Sequence, residues 1–277
     1  VRVKAPAALA ARALDIAGNR AEPASPRDAA TVMLLRAAGD GAGIEVYMLR
    51  RKQSMPFAPG ASVFPGGSVD SRDADADVAW AGPDVTQWAG WLGSTPELAR
   101  GLLCAAVRET FEESGVLLAG PAADDLTLPA QPELEPDRLA LLDRSLSLAG
   151  LLASRGLVLR SDLLKPWARW ITPAAEKRRY DTRFFAAVLP PGQQTADIRD
   201  EADQVAWLPP AGVLAAAERR EIALMPPTAV TLAELAACPD LATVFAAARR
   251  IVPWQPELVM EDGEAWLTLP DGMEYPI

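Results

Sequence analysis

Residues 105–116, AAVRETFEESGV, place Glu109, Glu112 and Glu113 at i, i+3 and i+4 of a strongly helix-forming stretch, so three carboxylates share one helix face. Like charges at these separations cost a bare helix about 0.2–0.5 kcal/mol per pair, and a solvated face normally intersperses lysines with its glutamates. The chain is therefore expected to fold so that positive charge meets this face. Arg108 stands four residues before Glu112 and can offset one charge, while a divalent cation held by oxygen ligands would offset more. A solvated acidic helix face is the alternative reading.

Upstream lies FPGG, Phe64 to Gly67, where a short apolar run, Ala61 to Phe64, ends in a Pro-Gly-Gly turn that lets backbone approach a ligand closely. Gly67, then after a long spacer Arg108-Glu109-Thr110-Phe111-Glu112-Glu113-Ser114-Gly115-Val116, resembles the Nudix box. In that box a Gly, a spacer, an acidic residue and a second spacer precede R-E-apolar-x-E-E-x-G-apolar. The chain looks similar to Nudix proteins with an interrupted box, coenzyme A diphosphatases among them, and the similarity extends into FAPGASVFPGG (57–67) and WITPAAEKRRYDTRFFAA (170–187). Thirteen residues separate Gly from Arg in the usual box, whereas forty lie between Gly67 and Arg108, an expansion of about 27. The acidic residue expected eight positions before the Arg falls on Arg100, and Glu97, on a similar helix face, is the expected replacement. Thr110 also stands where the box has an apolar residue.

The resemblance implies an α/β fold of the Nudix α/β/α sandwich type with helical insertions. It implies that Glu109, Glu112 and Glu113 hold the metal, that the backbone around Gly67 contributes to the same site, and that Arg108 orients a glutamate. Oxygen donors with no imidazole or paired thiolate nearby in sequence point to Mg²⁺ or Mn²⁺. The family often supplies a further carboxylate from outside the box, and Glu201, six residues before Trp207, occupies such a place. Asp200 and Asp203 compete with it, and a solvated acidic turn is the alternative. Two basic clusters are candidates for gripping substrate phosphates: Arg50 and Arg51 before a Met55-Pro56-Phe57 loop, and Arg178 and Arg179 before Tyr180. Basic runs at strand ends are also commonly solvated. Met55, Phe57 and Trp170 could line an apolar wall beside those phosphates. A second Arg is expected six residues after Arg50 in the fuller coenzyme A signature, and Pro56 stands there.

The implied reaction is metal-dependent cleavage of a pyrophosphate bond in a nucleoside diphosphate linked to another moiety, with coenzyme A or acyl-coenzyme A as the first substrate to try. A rival is a module that keeps the fold and senses a nucleotide without turning it over. Composition removes other classes. The chain has no histidine, which excludes Ser-His-Asp and Cys-His triads and every imidazole base. A net charge of −10 argues against nucleic-acid and anionic-membrane partners, leaving a small-molecule pyrophosphate as the expected partner. A homodimer is left open. Cys104 and Cys238 have no disulfide or zinc spacing, from which a cytoplasmic location is expected.

Patterning predicts an N-terminal arm over 1–29 and one domain over 30–277, with an insert at 68–96 inside the box and a C-terminal helical and hairpin extension. Strands are expected at 31–36, 44–50, 61–64, 184–189 and 202–208, and a tail hairpin at 257–269. Helices are expected near 85–92, from Pro96 to Ser114 with Gly115 as the stop, across 132–155, and at 211–219, 228–237 and 240–250.

Overall fold

The computed structural model describes residues 2–39, 43–52, 54, 59–74, 78–128, 131–196, 202–261 and 264–268. The first half of the chain runs β1 (Arg2–Lys4), α1 (Ala7–Ala17), β2 (Arg27–Ala37), β3 (Ile44–Arg51), β4 (Ala61–Val63), β5 (Gly66–Ser68), α2 (Ser71–Ala74), β6 (Trp80–Ala81), α3 (Val85–Leu92), α4 (Pro96–Ser114) and β7 (Ala119–Gly120). There follow α5 (Gln131–Leu142), α6 (Leu148–Arg155), β8 (Val158–Arg160), β9 (Leu164–Ile171), β10 (Tyr180–Val188), β11 (Ala202–Leu208) and α7 (Pro210–Glu218). The last elements are β12 (Ala223–Leu224), α8 (Pro226–Ala236), α9 (Leu241–Ala246), β13 (Pro253–Trp254), β14 (Glu257–Glu261) and β15 (Glu264–Thr268).

The site is assembled around β2. Its C-terminal end pairs antiparallel with β3, and its N-terminal part, Ala29 to Thr31, pairs with β5. Along the other edge β2 runs parallel to β10, within a mixed sheet ordered β12-β4-β3-β2-β10-β9-β13, with β11 on β3. Strand alternation divides the apolar residues between two cores. Ala30, Val32, Leu34, Tyr47 and Leu49 pack against α3, α4, α5 and α6 on one face, and Met33, Leu35, Val46 and Met48 pack against α7, α8 and α9 on the other. This is the expected α/β/α sandwich.

Two stretches differ from the sequence reading. The expected single helix over 132–155 is two, because Arg144 turns back at φ 65°, Asp143 accepts from the Ser145 N–H at 2.8 Å, and Ser147 starts a new helix by accepting from the Gly150 N–H at 3.1 Å. Strand β9 was not anticipated, since Lys165, Pro166 and Arg169 interrupt its apolar alternation and a bulge shifts its pairing at Phe184/Phe185. The 1–29 segment is tied down: β1 pairs with β15, and Ala5 and Leu9 pack with Ala175 and Ala265. Among the described residues no helix is long and apolar enough to cross a membrane.

Candidate active site

Helix α4 spans the range expected from its punctuation. Thr95 caps it by accepting from the Leu98 N–H at 3.2 Å, Pro96 opens it, and Gly115 ends it at φ 73° with its N–H on the Phe111 carbonyl. Leu102, Leu103, Ala106, Val107 and Phe111 are fully buried, which fixes the helix in rotation and hence the direction of its carboxylates. The carbonyls left open at its C-terminal end are all met from elsewhere. Buried Arg138 on α5 donates to the Glu112 carbonyl at 2.9 Å, the Tyr47 hydroxyl to that of Glu113 at 3.4 Å, and the Ala196 N–H to that of Ser114 at 2.8 Å. Thr110 is accommodated in the core because its hydroxyl donates to the Ala106 carbonyl at 2.7 Å.

The turn reaches this helix across β5. Gly66 donates its N–H to Glu113 Oε2 at 2.9 Å. At Gly67 an added Cβ would overlap the whole carboxyl group of Glu109, so only glycine lets that side chain lie against the strand. Arg108 is the hub. It is buried, and its Nη1 donates to Glu109 at 2.8 Å and to Glu112 at 3.1 Å. Its Nη2 reaches the Ser68 carbonyl at 3.1 Å, and Nε and Nη2 grip Asp73 at 3.0 and 2.8 Å.

Asp73 is the residue that counting back from Arg108 missed. The expected substitute, Glu97, is exposed in the first turn of α4, bonded to its own backbone and to Thr95. It is a capping residue about three helical turns from Arg108. A box with thirteen residues from Gly to Arg and its acid eight before the Arg places that acid six after the Gly, and Asp73 stands six after Gly67. The interruption therefore falls after Asp73, between α2 and Arg108, and the spacing from Gly67 was the signal that could have found it. Arg138 and Tyr47 carry no comparable signal, because their roles come from tertiary contact alone.

The Arg108 guanidinium meets three carboxylates here, those of Asp73, Glu109 and Glu112. Burial and the neighbouring Glu109 push the Glu112 carboxyl up to about 7 although Arg108 opposes them. Burial works against the Arg108 charge, but Asp73, Glu109 and Glu112 outweigh it and hold its pKa above the usual arginine value. Among the described residues no three acidic, Cys or His side chains already form a metal cage, since Glu109 and Glu112 turn to Arg108 and Glu113 to Gly66. The donor set itself fits a hard cation: carboxylate oxygens on one helix face, beside the half-buried strand backbone at Gly67.

The other candidates are dispersed. By strand alternation Arg51 lies on the α4 face of β3, while Arg50, with Val46 and Met48, lies on the opposite one. Arg178 is exposed, whereas Arg179 is buried with its guanidinium on the Thr172 and Ala24 carbonyls and on Gln255, which makes it a clamp between segments and removes it from a phosphate grip. Trp170 does not line a wall by the box: it is buried in the opposite core against Trp254. Phe57, Met55, Asp200 and Glu201 lie outside the described residues. Burial pushes the Cys104 thiol up to about 12, consistent with a packed, unreactive side chain.

With this geometry in place, the chain belongs to the Nudix hydrolase family: the family model described as the NUDT19 Nudix domain matches residues 94–235, just over half of the chain. That match includes α4 and omits Gly67 and Asp73. The chain is 27% identical over 231 residues to the acyl-coenzyme A diphosphatase NUDT19 of Xenopus laevis, covering 69% of this chain and 59% of that protein. It is 30% identical over 184 residues to the human NUDT19 protein, covering 53% of this chain and 48% of that one. The chain thus spans about half to three-fifths of the length of these relatives. Among solved structures it is similar to a Nudix hydrolase from Alicyclobacillus acidocaldarius, with TM-score 0.65, 29% identity, and coverage of 82% of this chain and 98% of that one.

Proposed function

We propose that this protein is a metal-dependent hydrolase that cleaves the pyrophosphate bond of a nucleoside diphosphate linked to another moiety, with coenzyme A or acyl-coenzyme A as substrate. One observation carries the reading: Asp73 and the α4 carboxylates, separated by thirty-four residues between Asp73 and Arg108, converge on the single buried guanidinium of Arg108 beside Gly67. The substrate class is supported by the acyl-coenzyme A diphosphatases that the chain resembles.

Glu109, Glu112 and Glu113 would hold Mg²⁺ or Mn²⁺ with the backbone at Gly67. When bound, the ion neutralises phosphate charge and polarises the phosphoryl group. The chain does the positioning. Arg108 orients Glu109 and Glu112, Asp73 holds Arg108 in place, and the Gly66 N–H orients Glu113. Glu201 is proposed to take the proton of the attacking water, because its neighbours in sequence, Ala196 and Ala202, are bonded to Ser114 at the end of α4 and paired with Arg51. Arg51, on the α4 face of β3, would contact phosphate oxygens, and Phe57 the apolar arm. A reducing cytoplasm suits the two free cysteines.

The test is hydrolysis of coenzyme A, ADP-ribose, NADH and a deoxynucleoside triphosphate with Mg²⁺ or Mn²⁺ and with excess chelator. The expected result is highest kcat/KM for coenzyme A and no turnover in chelator. Binding without turnover across the panel would favour a sensing module, and preference for the triphosphate would overturn the substrate.

A further inference from the structure

The Glu112 carbonyl is not met by the main chain that follows it. An α-helix would bring it the N–H of Val116, four residues on. Gly115 turns the chain away at φ 73°, and that N–H goes instead to the Ser114 hydroxyl at 3.2 Å. The hydroxyl is itself fixed, donating to the Thr110 carbonyl at 2.5 Å. The Glu112 carbonyl receives Arg138 Nη1 at 2.9 Å, from the apolar face of α5. Arg138 stands four residues after Leu134 and three before Leu141, both buried in the core that α4 shares, and only 5% of its side chain is exposed. Glu135 aims it. That carboxylate receives Arg138 Nε at 2.9 Å and Nη2 at 2.6 Å, which holds the planar fork from its outer edge and turns Nη1 toward α4. A buried ion pair is a weak source of stability, because lost hydration offsets most of the attraction and an apolar side chain of similar volume packs as well or better. An apolar residue between Leu134 and Leu141 would complete the stripe and leave the Glu112 carbonyl unmet.

We infer that Arg138 is a positioning residue for the cation site, fixing the last turn of α4 so that Glu112 and Glu113 present their carboxylates in one direction, with Glu135 as the residue that aims it; the inference rests on the hydrolase reading above. The two ends of Glu112 are held by different arginines. Arg108 holds its carboxylate at 3.1 Å, and Arg138 holds the backbone from which it projects. Glu113 is the next residue in the same turn, and its carboxylate is tied to the Gly66 N–H at 2.9 Å. A cation adds to these carboxylates with least rearrangement when the backbone beneath them does not move. The position also suits a cation electrostatically, since the C-terminal end of α4 carries negative partial charge beside its glutamates and the guanidinium lies against it. Helix α5, which follows the box in sequence, thereby becomes part of the site.

The test uses the full chain and three variants. Arg138→Met keeps an unbranched stem and removes the donors, Arg138→Lys keeps a charge and a donor, and Glu135→Gln, at a half-exposed position, alters the aim alone. Mn²⁺ binding is read by electron paramagnetic resonance titration, stability by urea unfolding, and turnover of coenzyme A as kcat and KM separately. Arg138→Met is expected to bind Mn²⁺ about tenfold more weakly, the lower end for a group that orients a metal ligand, and to lose kcat while KM stays near the wild-type value. Arg138→Lys should recover part of the affinity, and Glu135→Gln should show a smaller loss in the same direction. A helix cap without a role in the site would lower the unfolding midpoint and leave Mn²⁺ affinity and kcat of the folded variants unchanged, and that result overturns the inference. If Arg138→Met does not fold, wild-type Mn²⁺ affinity in both Arg138→Lys and Glu135→Gln overturns it equally. A wild type that binds no Mn²⁺ removes the hydrolase reading and this inference together, whereas normal wild-type binding beside unaffected variants removes the role of Arg138 alone.

Discussion

Asp73 and Glu97 are both acidic residues upstream of Arg108, and their fates diverge completely. Asp73, on the short α2 before the interruption, is buried and grips the Arg108 guanidinium, while Glu97, on the same helix as Arg108, is exposed and caps its own helix. Shared helix phase keeps two residues on one face but moves them 1.5 Å apart axially per residue, so Glu97 cannot reach the hub. The residue that thirty-four positions of loop and helix would seem to have carried away is the one that β5 and α2 bring back. An interrupted motif has to be counted from both ends, because each half keeps its own local spacing.

The largest effects should come from the half of the site that is continuous in sequence. Glu112→Gln or Glu113→Gln keeps shape and loses the charge that a cation needs, so kcat should fall about a hundredfold or more with circular dichroism unchanged. Wild-type rates in both variants would break the assignment of α4.

The segment before the interruption should matter nearly as much. Asp73→Asn leaves Arg108 with fewer charged partners in a buried setting, so turnover should drop about tenfold or more and stability by about 2–3 kcal/mol, read by activity and by urea unfolding. A smaller loss is expected for Gly67→Ala, whose methyl displaces the Glu109 carboxylate. It should raise the metal concentration needed for half-maximal rate several-fold more than it changes unfolding. A shift in stability alone would reduce Gly67 to a turn residue.

A subtler difference concerns pH. The folded Glu112 pKa, about 7, lies above its ordinary value of 4.5. The metal-free folded protein therefore holds a proton that the unfolded chain has released between those values. That contribution to stability is complete below the ordinary value and is lost as pH rises through about 7. Calorimetry in chelator should show Tm falling from about pH 5 to about pH 8, with the fall reduced in Glu112→Gln. The smallest effect is expected at Glu97→Gln, where an exposed capping side chain is replaced by another that can cap, and kcat should not change measurably.

The sequence made the box helix legible because its limits are set locally, by Thr95, Pro96 and Gly115, and because three glutamates on one helix face call for a counter-charge. The two-faced sheet was legible where strands alternate cleanly, as in β2 and β3, and not in β9, where Pro166 and two basic residues break the pattern and the bulge against β10 shifts it. Arg179 and Trp170 show the other limit. A basic run and an aromatic residue at a strand end look alike whether they face a ligand or the interior, and here contacts with Ala24, Gln255 and Trp254, far away in sequence, decide it. Arg138 and Tyr47, which meet the last carbonyls of α4, are silent for the same reason.

The central claim is that α2 and α4 form one cation site held together by Arg108. Its most direct test is Mn²⁺ affinity by electron paramagnetic resonance titration of the wild type, Asp73→Asn and Glu97→Gln. Asp73→Asn is expected to weaken binding about tenfold or more while Glu97→Gln matches the wild type. Equal affinities in all three proteins, or a loss confined to Glu97→Gln, would contradict it.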